Sequence, residues 1–241
     1  MSSKIAIYTS IFGGYDDIPK ISNKPPNCDF LCFTENDIKS TEWKIIQSPV
    51  IYDCPNRNAK RYKVLPHKYL KDYEYSIWID GNMDVVGNVN ELIDKYLKDS
   101  NIAFYSHSNN VLDPRHCPYE EAEFILAAGK RNYALNPSRG TLAYKDNPNT
   151  IEVQMKNYQY EGFPRNNGLI TGMVIIRNHN NIDCIKVMDQ WWSEICYNSK
   201  RDQLSFNYSA WKQNIKFNYI HGDSRNNEYF VRSSKPHKGK K

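Results

Sequence analysis

Tyr75-Ser76-Ile77-Trp78-Ile79-Asp80-Gly81-Asn82 is the stretch from which the rest of the chain is read. In an extended segment Ile77 and Ile79 fall on one face and Trp78 on the other. Both faces are then apolar, as in a strand covered on both sides. The strand, placed at 75–80, delivers one carboxylate at its C-terminal end, and a Gly-Asn turn follows. Ligands of open α/β sheets gather at such strand ends. Asp80 is there a candidate ligand for a hard cation, and Asn82 a carbonyl-oxygen ligand or hydrogen-bonding group. Gly81 lets the backbone come close to a ligand. The plainer alternative is an ordinary Asp-Gly turn closing a strand.

Around this strand, short apolar runs alternate with helical patterns. Strands are expected at 5–11, 30–34, 43–47, 102–105, 169–177 and 215–220. Helices are expected at 56–64, ended by Pro66, and at 89–97, 119–128, 184–197 and 202–212. The stretch 129–149 is polar and carries Gly and Pro, so it reads as a mobile loop. Alternation of this kind predicts an α/β fold: one Rossmann-like domain over 1–241, with a mixed, mainly parallel sheet flanked by helices. Its first half is about 1–100, its second about 101–232, and 233–241 is a basic tail.

The formal charge is +5, mildly basic, and Lys235, Lys238, Lys240 and Lys241 crowd the last seven residues. Such a tail is solvated or closes over an anion. No nucleic-acid partner is expected. The chain carries 18 Tyr, 5 Trp and 9 Phe, and aromatic faces suit sugar rings, although most of these residues are expected in the core. Frequent Asn, Lys, Ile and Tyr fit an AT-rich genome, such as that of a large virus or low-GC bacterium. Cys28, Cys32, Cys54, Cys117, Cys184 and Cys196 form no C-x-x-C pair and have no histidine cluster at zinc spacing. Free thiols of a reducing compartment are expected. No signal peptide precedes the first strand and no run of about 18 apolar residues occurs, so the chain reads as cytoplasmic, without a transmembrane segment. The sequence leaves the oligomeric state open.

Four further groups of residues have chemistry to offer. In N-R-N-A-K-R-Y-K, Arg57 and Arg61 share one helix face, and Lys60, Lys63 and His67 another. Either face suits a diphosphate, while spacing alone favours a solvated basic surface. His107, Arg115 and the carboxylates Glu120, Glu121 and Glu123 can bind sugar hydroxyls, although acids at a helix start also answer the helix dipole. Arg201-Asp202-Gln203 opens another helix, where Asp202 either caps the helix or, with Gln203, lies beneath a sugar and stabilises positive charge at its anomeric carbon. His221 and His237 are candidate metal ligands near the C-terminus.

Six segments together resemble one family. They are T-S-I-F-G-G-Y-D-D at 9–17, R-Y-K-V-L-P-H at 61–67, Y-S-I-W-I-D-G-N at 75–82, R-H-C-P-Y-E-E-A at 115–122, Q-M-K-N-Y-Q-Y-E-G-F-P at 154–164 and R-D-Q-L-S-F at 201–206. In this order they resemble the family known as domain of unknown function 616, which includes the plant turgor-regulation-defect and mucilage-related glycosyltransferase-like proteins. The resemblance implies a GT-A glycosyltransferase fold. It carries over Asp80 and Asn82 as the metal-and-donor motif, and Arg201, Asp202 and Gln203 as active-site residues. D-Q-x-x-x-N at 202–207 is also similar to the motif of the retaining galactosyltransferase-like enzymes of family 8, which implies retention and a C-terminal His on manganese. The H-x-x-G-x-K-P-W ending of those enzymes is absent; His221-Gly222 and Lys235-Pro236-His237-Lys238 stand nearest to it.

The expectation is therefore a metal-dependent glycosyltransferase, hexosyl- or pentosyl-, moving a sugar from a nucleotide-sugar donor to a glycan or other acceptor. A UDP-sugar binds at the end of the first strand, near Thr9, Ser10 and Phe12. Mn2+ or Mg2+ sits on Asp80 and Asn82 with His221 or His237. Arg57, Arg61, Lys63 and Lys238 neutralise the diphosphate. Arg201, Asp202 and Gln203 form the reaction centre. His107, Arg115, Glu120 and Glu121 bind hydroxyls of donor or acceptor, and the acceptor enters beside the 129–149 loop and the 120–123 helix. The alternatives are a ceramidase-like hydrolase and a catalytically silent sugar-binding protein of the same fold. Metal-dependent release of UDP separates them.

Overall fold

The computed structural model describes residues 4–233. In chain order the elements are β1 (Ile5–Ile11), β2 (Cys28–Thr34), β3 (Lys44–Gln47), α1 (Pro55–Val64), α2 (Pro66–Tyr69), β4 (Tyr75–Ile79), β5 (Met83–Val85), α3 (Asn90–Tyr96), β6 (Ile102–Ser106), α4 (Pro118–Leu135), α5 (Pro148–Tyr160), β7 (Ile170–Arg177), α6 (Ile182–Tyr197), α7 (Phe206–Lys212), β8 (Asn218–Ile220) and β9 (Phe230–Arg232). Seven strands form one sheet in the order β3-β2-β1-β4-β7-β6-β8, and β5 pairs with β9 apart from it. Only β7 runs against its neighbours in the large sheet, so the others all end at one edge. That edge collects Phe12, Asp80, His107 and His221, together with the start of β7. The mixed, mainly parallel sheet between helices is the layered architecture expected from the sequence.

The alternation along β4 holds. Ile77 and Ile79 join Ile5, Ile7 and Val174 under Leu92, Ile93 and Tyr96 of α3. Trp78 joins Tyr8, Phe33 and Ile175 under α1, α6 and α7, which contribute Tyr62, Trp191 and Phe206. Each fully buried large side chain of this kind stabilises the fold by about 1.5–3 kcal/mol. Arg177 is buried inside the second layer. It donates to the Lys63 carbonyl at 2.8 Å and to the Tyr8 hydroxyl, and Tyr8 in turn donates to the same carbonyl at 3.1 Å. The C-terminal turn of α1, which carries Lys63, is thereby fixed to the sheet.

Two expectations are corrected. The stretch 129–149 is no open loop: α4 runs on to Leu135, a 3-10 segment follows over Pro137–Ala143, and α5 begins at Pro148. Gly129 is part of the reason. A Cβ there would meet the Tyr144 ring at 2.0 Å, so the missing side chain lets the 3-10 segment lie against α4. The expected helix 202–212 is split into a 3-10 turn, Asp202–Leu204, and α7. Pro66 does close α1, and it also opens α2.

Candidate active site

The segment 199–203 is tied down from several sides. Ser199 Oγ and the Lys200 amide both donate to Asp146 Oδ2 at 2.7 Å, and the Ser199 amide donates to Gln154 Oε1 at 3.3 Å. Lys60 Nζ donates to the Lys200 carbonyl. The Trp191 indole, fully buried, donates to the Asp202 carbonyl at 2.9 Å. Asp146 lies in the stretch expected to be mobile. Its role is to hold the segment that carries Arg201, Asp202 and Gln203.

Asp202 does not hold a cap position, which falls to Arg201 for the 3-10 turn and to Ser205 for α7. Its two oxygens pair with Lys60 at 3.2 Å and Lys63 at 2.7 Å. Lys63 also reaches Asp80 Oδ1 at 3.1 Å, and the Trp78 indole donates to the same oxygen at 2.8 Å. Lys60, Lys63 and Asp202 are 7%, 4% and 5% exposed, so these charges are held by one another and not by water. Burial opposes ionisation of Asp202, yet Lys60, Lys63 and Arg201 hold its carboxyl well below the usual carboxylate range. Burial brings Lys60 down to about 8, with Asp202 acting against it. Lys63 is also penalised by burial, but Asp202 and Asp80 raise it. The basic helix face is thus an interior one on its Lys60 and Lys63 side.

A second group of charges continues from the first. Arg201 lies 3.6 Å from Glu121, and Arg115 Nε donates to Glu121 at 2.5 Å. Arg115 also pairs with Asp113 at 3.4 Å, and Asp113 pairs with Arg225. An Arg115 guanidinium nitrogen lies 2.9 Å from His107 Nε2. Arginine only donates, so Nε2 accepts and the proton sits on Nδ1, with burial and then Arg115 lowering the His107 pKa. Gln203 is oriented from both ends: Arg201 donates to its oxygen at 3.1 Å, and its nitrogen donates to the Ile170 carbonyl at 3.4 Å. Three buried polar atoms here have no protein partner: Arg201 Nε, His107 Nδ1 and Thr171 Oγ1. Buried polar atoms are nearly always paired, so these three are exceptions within the site.

The structure therefore brings Lys63, Asp80, Asp202, Arg201, Gln203, Glu121, Arg115 and His107 into one continuous series at the strand-terminal edge. It separates others from it. Arg57 donates to the Ile195 and Asn198 carbonyls at 3.3 Å, serving the end of α6. Arg61 lies over the Tyr69 ring at 5.5 Å. Ser10 donates to the Ala59 carbonyl at 2.8 Å, Phe12 stacks on Tyr62 at 5.7 Å, and the buried Thr9 hydroxyl has no partner. Glu120 accepts from the His116 amide at 2.7 Å, a local bond at the start of α4. Gly81 makes room for a neighbouring loop, because a Cβ there would meet Asp16 Cβ at 2.9 Å. His237 and Lys238 lie outside the described residues.

The expected metal ligands do not converge among the described residues. No group of three or more His, Cys, Asp or Glu side chains is gathered there to hold an ion. Asp80 instead faces Lys63 and Trp78. His221 follows β8, three strands from β4 and about 14 Å away at the usual strand spacing, with its ring beside Tyr96. The described residues do not fit the expected site.

The sequence did not single out Lys145, and it gave Asn207 only as the last residue of a motif. Lys145 has its pKa lowered by burial and then by Arg201. Asn207 accepts from the Ile170 amide at 3.1 Å and donates to the Asn167 carbonyl at 3.1 Å. Its place in D-Q-x-x-x-N was the available signal.

Comparison with known proteins identifies the family. The family model described as TOD1/MUCI70, glycosyltransferase-like domain, matches residues 1–231. The chain is 25% identical over 238 residues to the probable hexosyltransferase MUCI70 of Arabidopsis thaliana, covering 84% of this chain and 36% of that protein. It thus spans little more than a third of that relative's length. Among solved structures it is similar to the apo WbbM bifunctional glycosyltransferase, with TM-score 0.47 at 10% identity, covering 92% of this chain and 39% of that one. It is also similar to apo mouse xyloside xylosyltransferase 1, with TM-score 0.44 at 10% identity, covering 91% and 85%. With a strand-edge site on a mixed, mainly parallel sheet and a family match over nearly its whole length, the chain belongs to the TOD1/MUCI70 glycosyltransferase-like domain family.

Proposed function

We propose that this chain transfers a hexosyl group from a nucleoside diphosphate sugar, a UDP-sugar, to a glycan acceptor with retention of configuration. The observation that carries this is the series of charges running from Asp80 through Lys63, Asp202, Arg201 and Glu121 to Arg115, which ends in buried polar atoms that lack partners. Breaking the glycosyl bond puts negative charge on the leaving diphosphate and positive charge on the anomeric carbon. Preorganised charges lower that barrier because they need no reorganisation during the step. Arg201 and Arg115 are the cations of this part of the series, and Glu121 holds both in place. Asp202 is enclosed by Lys60 and Lys63. Gln203, fixed by Arg201 and the Ile170 carbonyl, is therefore the residue that meets the sugar. The Arg201 guanidinium, on a side chain 24% exposed, is a donor suited to sugar or phosphate oxygens.

The test is a thermal-shift panel of nucleotide sugars, each with manganese and with a chelator, followed by assay of UDP release. A true donor at 100 times its dissociation constant stabilises by about 2.7 kcal/mol. A UDP-sugar is expected to stand out and to release UDP when acceptor is added, with the anomeric configuration of the product retained by NMR. If no nucleotide sugar stabilises the protein in either condition, the transferase reading fails. If donor binding requires manganese, the lysine-held Asp80 is the wrong description of the donor site.

A further inference from the structure

The strand-terminal edge has a second region that the charged series does not enter. An open cavity of about 640 Å³ lies at the β6 and β8 end, lined by Ser106, Ser108, Asn109, His116, Tyr219 and His221 among others. This is the size range of small-molecule sites. Its lining includes hydroxyl, amide, imidazole and phenol groups, and no Lys, Arg, Asp or Glu. The expected acceptor position lay elsewhere, beside 129–149, which the structure fills with helix and 3-10 segment.

One wall of the cavity is a strap leading into β7, and it is built with care for shape. Asn166 and Gly168 both have positive φ, 61° and 75°. A Cβ on Gly168 would come 2.2 Å from the Tyr219 hydroxyl, so only glycine leaves room for that side chain. Asn207 then fastens the strap. Its side chain bonds the Asn167 carbonyl, the Ile170 amide and, at 3.0 Å, the Tyr219 hydroxyl. Asn207 is itself buried. Three hydrogen bonds from one buried amide hold the wall in one conformation.

The strap also sets the distance to the charged series. Leu169 lines the cavity, the Ile170 carbonyl receives Gln203, and Gly172 lies against Asp202 and Lys63. Three strand residues from Leu169 to Gly172 span about 10 Å. A ligand in the cavity would lie within a sugar's reach of Gln203.

We infer that this cavity is the acceptor subsite and that it takes an uncharged saccharide. A lining without formal charges offers neutral hydroxyls many donors and acceptors and gives a carboxylate or phosphate no cation to pair with. The anionic part of the reaction is left to the arginine side. Asn207 is here a positioning residue, acting through the strap. This inference rests on the transferase reading above, and its test separates the two.

The experiment is saturation-transfer NMR on the full chain with cellobiose, lactose and xylobiose, and with digalacturonate as the charged comparator. Each is repeated with Ser108→Trp and Asn109→Trp, two exposed positions whose bulk fills the cavity. UDP thermal shifts are measured on the same samples. At least one neutral disaccharide is expected to bind, tenfold or more weaker in both variants, while the UDP shift stays. Asn207→Ala is expected to weaken the disaccharide in the same way. Preferential binding of digalacturonate, binding untouched by both tryptophans, or no neutral disaccharide binding would each overturn the inference. Absence of any UDP shift in the wild type, with disaccharide binding intact, would sink the donor reading and leave the saccharide site standing.

Discussion

The two ends of the strand-terminal edge solve opposite problems. At the β4 end, Lys60, Lys63 and Asp202 are charges with almost no access to water. At the β6 and β8 end the cavity is open and its lining carries no formal charge. Buried charges are tolerated only when paired, and removing one partner strands the other. The first region is therefore rigid and intolerant of change. An open polar cavity tolerates substitution and is free to select among ligands. The contrast teaches where to look for each half of the chemistry: fixed charge at one end, adaptable hydrogen bonding at the other.

The largest expected effect breaks the charged end. Asp202→Ala leaves two buried lysines without their carboxylate and should cost about 3–5 kcal/mol in urea denaturation. A loss under 1 kcal/mol would mean that the pair is not held as described. Asp202→Asn would not separate charge from folding either, because Asp202 pairs with both lysines. Gln203→Ala makes the cleaner probe. It should lower kcat on the order of 10²–10³ with little change in KM or in melting temperature. Wild-type turnover in that variant would move the reaction centre away from Gln203.

Asp80→Ala tests the junction of the two readings of that strand end. Asp80 is partly exposed and shares Lys63 with Asp202, so its loss should cost only about 1 kcal/mol. UDP binding should respond to manganese no differently in this variant than in the wild type. Selective loss of a manganese response would restore Asp80 as a metal ligand.

The smallest effect is a pH dependence. Lys60, brought down to about 8, binds fewer protons folded than unfolded between about pH 8 and 10. Its contribution to stability therefore rises with pH through that window. Cys28, Cys32 and Cys184, pushed up to about 12 by burial, act in the opposite sense, because they stay protonated when folded. The difference in stability between wild type and Lys60→Met removes the thiol contribution and should rise from pH 8 to 10. A flat or falling difference would mean that Lys60 is solvated.

Much of the fold was legible because it depends on local periodicity. Alternation in β1 and β4 and the helical spacing of α1 and α6 are properties of neighbours in sequence, and their bounds were close to those observed. The segment 129–149 was misjudged for the same reason. Its Gly and Pro content says loop, but Gly129 exists to accept the Tyr144 ring, a contact between residues 15 apart. β5 and β9 are three-residue strands that pair with each other and with single residues of neighbouring loops, too short to leave a pattern.

By itself, then, the sequence determined the α/β layering and the strand that ends at Asp80, and it named Arg201, Asp202, Gln203, Glu121, Arg115 and His107 as candidates, which the fold brings together. Side-chain type and spacing carry that much. Which charges face each other was decided only by the tertiary structure. Lys63 and Asp202 are 139 positions apart in the chain and 2.7 Å apart in space. A helix face of lysines reads as solvated until the fold lays a buried carboxylate against it, because the energy of a charge depends on its partner and its exposure, and neither is local in sequence.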